Sequence, residues 1–391
     1  MRKITGDLIL PVTSAPLKDA VLVLDDTGKI LQIDARSAHD PGSVEAYAGL
    51  IVPGFINTHC HLELSHMLGK VATGVGLLSF IRSVVSSREA VMEEVQGAIT
   101  RADQEMWENG IVAVGDISNK IDTAAQKEKS PIRYYTFVEM FDFQQEAWAE
   151  NTFQQYYEVY KGQSDGNGNR KSCVPHAPYS VSKSLFKKIN EANEGEGTVS
   201  IHNQETPHED ALFLHGKSGF IELFSSFNID MSAVKPTGKT AIHYALENMD
   251  PHQRTLFVHN TLTRVEDIQA AHAWSDKVYW ATCANANLYI ENKLPHYKDF
   301  LENNARMTIG TDSLTSNWQL SVLDEMKTIA RYQSYIPFET LLQWATINGA
   351  QALGFEEDLG SLEIGKTPGI NLLSMEMDLQ LKADTQVTKL V

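Results

Sequence analysis

The feature that most constrains the fold is an alternation along the chain. Short apolar, strand-like runs recur between residues 50 and 311, separated by stretches of helical patterning. Eight such runs stand out: Leu50–Asn57, Ile111–Ile117, Arg133–Met140, Val174–His176, Thr198–His202, Thr255–His259, Val278–Thr282 and Met307–Thr311. Segments such as Leu77–Ala102, Lys183–Ala192 and Pro337–Ala352 have helical character. A helix between consecutive strands returns the chain to the same end of the sheet, so the strands run parallel. Eight units over roughly 300 residues favour closure into an α/β barrel of the (β/α)8 type. A doubly wound open sheet is the alternative. It is weakened because neither a GxGxxG nor a GxxxxGK[ST] phosphate loop occurs.

The two ends of the chain read differently. Ala20–Leu24 and Lys29–Ile33 flank the turn sequence Asp25-Asp26-Thr27-Gly28, a hairpin pattern, and Ile370–Ser374 is an apolar run preceded by Gly360, Gly365, Pro368 and Gly369. Neither end has enough strands to bury a core alone. The expected organisation is therefore a small β-sandwich from residues 1–52 and 356–391, attached to a barrel over residues 53–355. The polar stretch Gly162–Lys171 reads as an exposed loop.

Composition narrows the class of partner. The net charge of −17 argues against nucleic acid, whose phosphates require basic patches. Cys60, Cys173 and Cys283 form no CxxC pair, which leaves a disulfide framework or a cysteine zinc knot without support and points to the cytoplasm. No apolar run is long enough to span a membrane, and the first residues lack the apolar core of a secretory signal.

The chemistry-bearing residues sit where strand-like runs give way to polar sequence. The first run leads into His59-Cys60-His61, and side chains at i and i+2 of an extended chain face the same side. Ser200-Ile201-His202 ends another run, with Glu205 three residues on; Leu256-Phe257-Val258-His259 repeats the pattern, and Met307–Asp312 ends on a carboxylate. An isolated HxH pair is more often chance than a site. Several barrel strands delivering ligand-type residues to the catalytic face are much harder to obtain by chance. A set of three imidazoles and one carboxylate suits zinc or ferrous iron.

The run Pro53-Gly54-Phe55-Ile56-Asn57-Thr58-His59-x-His61 closely resembles the signature of the amidohydrolase superfamily. The resemblance extends through His202-x-x-Glu205, His259, Gly310-Thr311-Asp312, Ala345-Thr346-x-Asn348-Gly349-Ala350 and Gly360-Ser361-Leu362-x-x-Gly365-Lys366. It implies a distorted (β/α)8 barrel with a sandwich built from both termini. It also implies that His59, His61, His202 and Asp312 hold one divalent ion, zinc being expected and ferrous iron the alternative. Binuclear members carry a bridging lysine at the end of the fourth strand. The run taken as its counterpart, Arg133–Phe143, has none, although Glu139 or Asp142 could stand in. His202-x-x-Glu205 resembles the mononuclear deaminase and chlorohydrolase branch, which makes Glu205 a proton shuttle beside an activated water. His259 would hydrogen-bond the attacked centre or the water, or serve as a further ligand.

Substrate contacts are expected from His176, in Val174-Pro175-His176-Ala177-Pro178-Tyr179-Ser180, and from Glu63, Asn287 and Ser313. Each has a structural alternative: a packed strand-end histidine, a salt bridge or helix start for Glu63, and loop bracing for Asn287. The run His61-Leu62-Glu63-Leu64-Ser65 is similar to one found in aminodeoxyfutalosine deaminases of menaquinone synthesis. The likeness suggests an adenine nucleoside carrying a benzoate. Arg82 and Arg88 are candidates for a substrate carboxylate against a default of solvated helix charges. His66, His208, His215 and His296 read as loop or surface histidines. The expected activity is hydrolytic deamination of an aminated purine nucleoside. The alternatives are hydrolysis of a cyclic amide or a chlorinated heterocycle at the same site, or an inactive barrel that only binds. The expected partner is a small molecule, and the expected assembly a homodimer.

Overall fold

The computed structural model describes residues 1–193, 195 and 197–391. Its centre is eight parallel strands in two four-stranded halves. The first half comprises Phe55–Cys60, Ile111–Ser118, Arg133–Met140 and Arg170–Pro175; the second comprises Thr198–Asn203, Arg254–His259, Val278–Thr282 and Met307–Ile309. Nearly every residue of these strands is buried, as expected of a parallel sheet covered on both faces.

Two seams close the halves into a distorted barrel. Between the fourth and fifth strands, the Ser172 hydroxyl donates to the Thr198 carbonyl (2.7 Å) and the His202 amide to the His176 carbonyl (2.9 Å). Between the eighth and first, Cys60 and Asp312 form a parallel bridge, and the amides of Thr311 and Asp312 both donate to the His59 carbonyl (3.0 and 2.9 Å). The Thr58 and Thr308 hydroxyls meet across the same seam at 2.8 Å.

Both chain ends build two further four-stranded sheets. One orders Ile30–Ala35, Ala20–Leu24, Arg2–Thr5 and Glu45–Ala46; the other orders Val387–Lys389, Ile370–Leu373, Leu50–Pro53 and Leu8–Ile9. Ile4, Leu22, Leu24, Ile51 and Ile370 pack between them. Leu50 and Val52, alternating with Ile51, join the barrel core instead. The second sheet thus adheres to the barrel through its period-two pattern. No helix among the described residues is long and apolar enough to cross a membrane.

Several boundaries differ from the sequence reading for physical reasons. Leu50–Asn57 is two strands, because the chain passes from sandwich to barrel at Gly54. A Cβ there would lie 2.4 Å from a Val112 methyl and 2.7 Å from the Pro368 carbonyl. Leu77–Ala102 is also two elements, Leu77–Ser87 and Met92–Glu108. Their apolar faces have different targets: Leu77, Phe80, Ile81 and Val84 line a cavity, while Val95, Ile99, Ala102 and Met106 enter the barrel core. Pro337–Ala352 likewise divides at Thr346 into Phe338–Ala345 and Ile347–Leu353. Strand pairing corrects the count as well. Arg133–Met140 is the third barrel strand, and the fourth is Arg170–Pro175, ending at His176. Its Lys171 lies at the opposite end and donates to the Gln163 carbonyl (2.7 Å), so a lysine is still missing from the site-facing end.

Gly310 is where the eighth strand passes closest to the first. A Cβ on it would stand 2.7 Å from His59 Cβ and 2.9 Å from Cys283 Sγ. Gly310→Ala is expected to destabilise the fold by about 1–3 kcal/mol through overpacking. Urea unfolding measures this, and an unchanged midpoint would show that the seam can yield.

Candidate functional site

The ends of the strands converge on one cluster. His59 lies one residue before the end of the first strand and His61 begins the turn after it. His202 lies in the fifth strand, His259 ends the sixth, and Asp312 follows the eighth. His61 Nε2 lies 3.2 Å from His59 Nε2 and 3.4 Å from His202 Nε2. Asp312 Oδ1 lies 3.6 Å from His59 Nε2 and 3.3 Å from His61 Nε2.

The donor chemistry tests whether a metal fits. His202 Nδ1 faces the His176 carbonyl at 2.9 Å, which makes that nitrogen an N–H donor and turns Nε2 toward the cluster. Burial holds the His59 and His61 imidazoles down at about 4, hence neutral. Neutral imidazoles turned toward one another in a dry site cannot all be satisfied by sharing protons. Four-coordinate ions with bonds near 2.1 Å keep their donors roughly 3.4 Å apart, which matches these separations. His59, His61, His202 and Asp312 could therefore hold a divalent cation. His259 with His59 and Asp312 also forms a close group.

The surrounding residues set the orientations of this cluster. Ser316 Oγ donates to Asp312 Oδ2 (2.5 Å). Asn287 Oδ1 accepts from His259 Nδ1 (2.9 Å), so His259 Nε2 is free toward the cavity, where Glu205 Oε2 lies 3.8 Å away. Glu139 Oε1 approaches His202 Nδ1 at 3.2 Å, the nitrogen turned away from the cluster. Burial opposes the charge on His202, but the Glu139 carboxylate beside Nδ1 prevails and raises its pKa to about 9, so an ion bound at Nε2 would take the place of a proton. Burial, reinforced by the Asp312 charge, pushes the Glu205 carboxyl up to about 8. His259 and Asp312 have φ of +72° and +58°, a left-handed backbone that side chains disfavour. Such strain gathers where a site requires a side chain at an angle that regular structure does not supply.

The cluster forms one end of a cavity of about 460 Å³. His176 and Ser313 line it, as expected, and His176 Nδ1 is paired with Ser180 Oγ at 2.6 Å. Glu63 and Asn287 do not reach it. Glu63 Oε2 accepts the amides of Asn119 (3.0 Å) and Lys120 (3.1 Å), bracing the loop after the second strand. Asn287 is fully buried and spent on His259, the bracing alternative. Asp142 binds the Ser182 amide (2.8 Å) and hydroxyl, whereas Glu139 lines the cavity and forms a close group with His176 and His202. Arg82 is exposed, whereas Arg88 lines the cavity. His66, His208, His215 and His296 do not line it. Ser316 carried no sequence signal, and Glu139 drew notice only as a substitute bridge.

Two measurements probe this geometry. Replacing His61 or His202 with Ala is expected to abolish stoichiometric metal in the purified protein by elemental analysis; full retention would dismantle the ligand set. The second concerns Glu205, whose carboxyl ionises at about 8 in the folded protein against 4.5 ordinarily. Between those values the folded chain keeps a proton that the unfolded chain has released, so stability falls as pH rises across the window. In chelator-treated protein, the Tm gain of Glu205→Gln should be near zero below this window, grow through it and level off above it. A gain independent of pH would contradict a proton held on Glu205.

Comparison with known proteins agrees with this architecture. The sequence profile of the amidohydrolase family matches residues 50–390. An adenosine deaminase of Helicobacter pylori is 27% identical over 83% of this chain and 78% of its own length. The crystal structure of Helicobacter pylori aminofutalosine deaminase in complex with methylthio-coformycin superposes with a TM-score of 0.82 at 22% identity, covering 97% of this chain and 94% of that one. An adenosine deaminase from Xanthomonas campestris with bound zinc gives a TM-score of 0.75 at 20% identity, over 97% and 87% of the two chains. With the family profile spanning barrel and site alike, this chain belongs to the amidohydrolase family and is a hydrolase acting on C–N bonds.

Proposed function

We propose that this protein hydrolytically deaminates an adenine-type nucleoside bearing a bulky, partly apolar 5′ substituent, with 6-amino-6-deoxyfutalosine as the first candidate. The observation that carries this reading is the buried Glu205 carboxyl, which opens into the same cavity as the His/Asp cluster. An amine is a poor leaving group until it is protonated, and a heteroaromatic ring accepts attack more readily once its nitrogen is protonated. A carboxyl with a pKa raised to about 8 is suited to donate both protons near neutral pH. Chloride leaves without a proton, so a chlorinated substrate would use only the first of these two protonations. The retained ligand set and acid also weigh against an inactive binding barrel.

One divalent ion, zinc by preference, would be held by His59, His61, His202 and Asp312 and would supply an acidified water when bound. Asp312 Oδ1 is placed among the ligand atoms and its Oδ2 is steadied by Ser316, so the carboxylate can orient a water proton. His259 Nε2, bare because Nδ1 faces Asn287, can accept a hydrogen bond beside Glu205. Glu205 would give its proton to the ring nitrogen, take one from the attacking water and hand that one to the departing amine, and regain a proton from the hydroxyl left on the ring carbon. His176, neutral through burial, is positioned on the wall for a sugar hydroxyl.

The remaining walls argue for the 5′ group. Phe80, Ile81, Val84, Phe141, Phe143, Phe224 and Phe227 make one side apolar, and Arg88 is the one Lys or Arg among the lining residues. Aromatic walls favour a flat hydrophobic substituent. A guanidinium at their edge favours a carboxylate on it. The similarity to the aminofutalosine and adenosine deaminases supports the same class of substrate.

The test is a panel of adenine nucleosides with varied 5′ groups, offered to zinc-loaded enzyme and followed by ammonia release. Carboxylate-bearing aromatic 5′ substituents should give the highest kcat/KM, and Glu205→Ala should lower kcat by about 100-fold or more. Arg88→Met should raise KM for the carboxylate-bearing substrate by about 10–100-fold while leaving uncharged nucleosides nearly unaffected. Chloride release without ammonia, or full activity in Glu205→Ala, would overturn the reading.

A further inference from the structure

The imidazole of His59 is fixed by its own strand, but His61 stands where the chain leaves the sheet. Its backbone (φ −124°, ψ 78°) no longer follows the strand, and a short 3-10 helix, Leu62–Met67, begins at the next residue. What secures that departure is a single acceptor from the neighbouring strand. The Leu62 amide donates to Asp116 Oδ1 at 2.7 Å. Asp116 lies in the second barrel strand, in register with Cys60. Its other oxygen takes the ammonium of Lys127 at 2.6 Å and the Ser118 hydroxyl at 3.2 Å.

Lys127 reaches this position from the short helix Ala124–Lys129 and is almost entirely buried, with 2% exposure against 0% for Asp116. Its Nζ also donates to Ser118 Oγ (3.0 Å) and Thr136 Oγ1 (3.1 Å). A buried ion pair is a poor device for stability alone, because desolvation offsets the attraction and apolar replacements of similar volume often do as well. What this pair supplies beyond packing is a charged, immobile acceptor. It is aimed at the amide directly after His61, and Lys127, 2.6 Å away, holds the carboxylate in place.

We propose that Asp116 and Lys127 are positioning residues for the metal centre: the pair clamps the turn after His61 and so holds the His59-x-His61 imidazoles in register with His202 and Asp312. The proposal rests on reading the histidine cluster as a metal site. Preorganised ligands bind more tightly because the ion need not order them.

Two double variants separate the clamp from the charge. D116N/K127M keeps an oxygen acceptor for the Leu62 amide and leaves no buried charge. D116L/K127M removes the acceptor with the same charge balance, and D116V/K127M serves if the leucine variant does not fold. Each is loaded with Co(II) or Zn(II) and compared with wild type by visible absorption, by metal retention against a chelator and by Tm of the metal-free form. The asparagine variant should keep the wild-type Co(II) spectrum and retain metal within about threefold. The leucine or valine variant should fold but hold metal about 10–100-fold more weakly, with an altered spectrum, the loss typical of groups that orient ligands. An acceptor-free variant with wild-type spectrum and affinity would overturn the proposal, and so would an asparagine variant that loses metal. Wild-type protein that binds no metal would instead refute the metal reading on which the proposal stands.

Discussion

The carbonyl of His59 is the junction on which the rest of this structure depends. It accepts the amides of Thr311 and Asp312, and in doing so joins the last barrel strand to the first. The bond that closes the barrel is thus made by the backbone of two residues of the histidine–aspartate cluster. Fold and site cannot be varied independently here: a shift of the eighth strand moves Asp312 against His59 directly. The opposite seam has the same character, because the His176 carbonyl accepts both the amide and the ring Nδ1 of His202. Closure at both seams therefore fixes ring orientation as well as strand order. The close approach of Gly310 to His59 and the left-handed backbone of Asp312 are local consequences of that closure.

Around this junction the cavity separates two environments. At one end buried imidazoles and carboxylates crowd together, and burial drives His59, His61, His176 and His259 toward the neutral form and Glu205 toward the protonated one. Asp312, Glu139 and His202 are held in their charged forms by their neighbours despite burial. One carboxylate kept charged and another kept protonated within a single pocket is the division of labour that acid–base hydrolysis requires. The other walls are mostly apolar, with Arg88, Asn119 and Ser180 among them, and they come from helices and loops outside the strands.

Much of this was legible from residue order. Strand-end placement identified His59, His61, His202, His259 and Asp312, because a barrel directs the ends of all its strands to one face. Glu205 was legible from its spacing after His202. Other assignments needed coordinates. Glu63 follows the ligand pair closely enough to suggest substrate contact, yet its carboxylate is consumed by the Asn119 and Lys120 amides. Asn287 serves the cavity only through His259. Arg82 and Arg88 looked equivalent on a continuous helix; the break after Ser87 places Arg88 on the cavity wall and leaves Arg82 exposed.

What the sequence by itself determined is the alternation of strand and helix, the hairpin-like ends and the ligand types at strand termini. These depend on local periodicity and on residue chemistry, which a linear reading captures. What only the tertiary structure decided is which polar groups remain available. Glu139 against His202, Ser316 against Asp312 and Lys127 against Asp116 join residues far apart in the chain. The reason is that a buried polar group must find its partner in space, and the partner is set by how the strands close and not by which residues adjoin it in the chain.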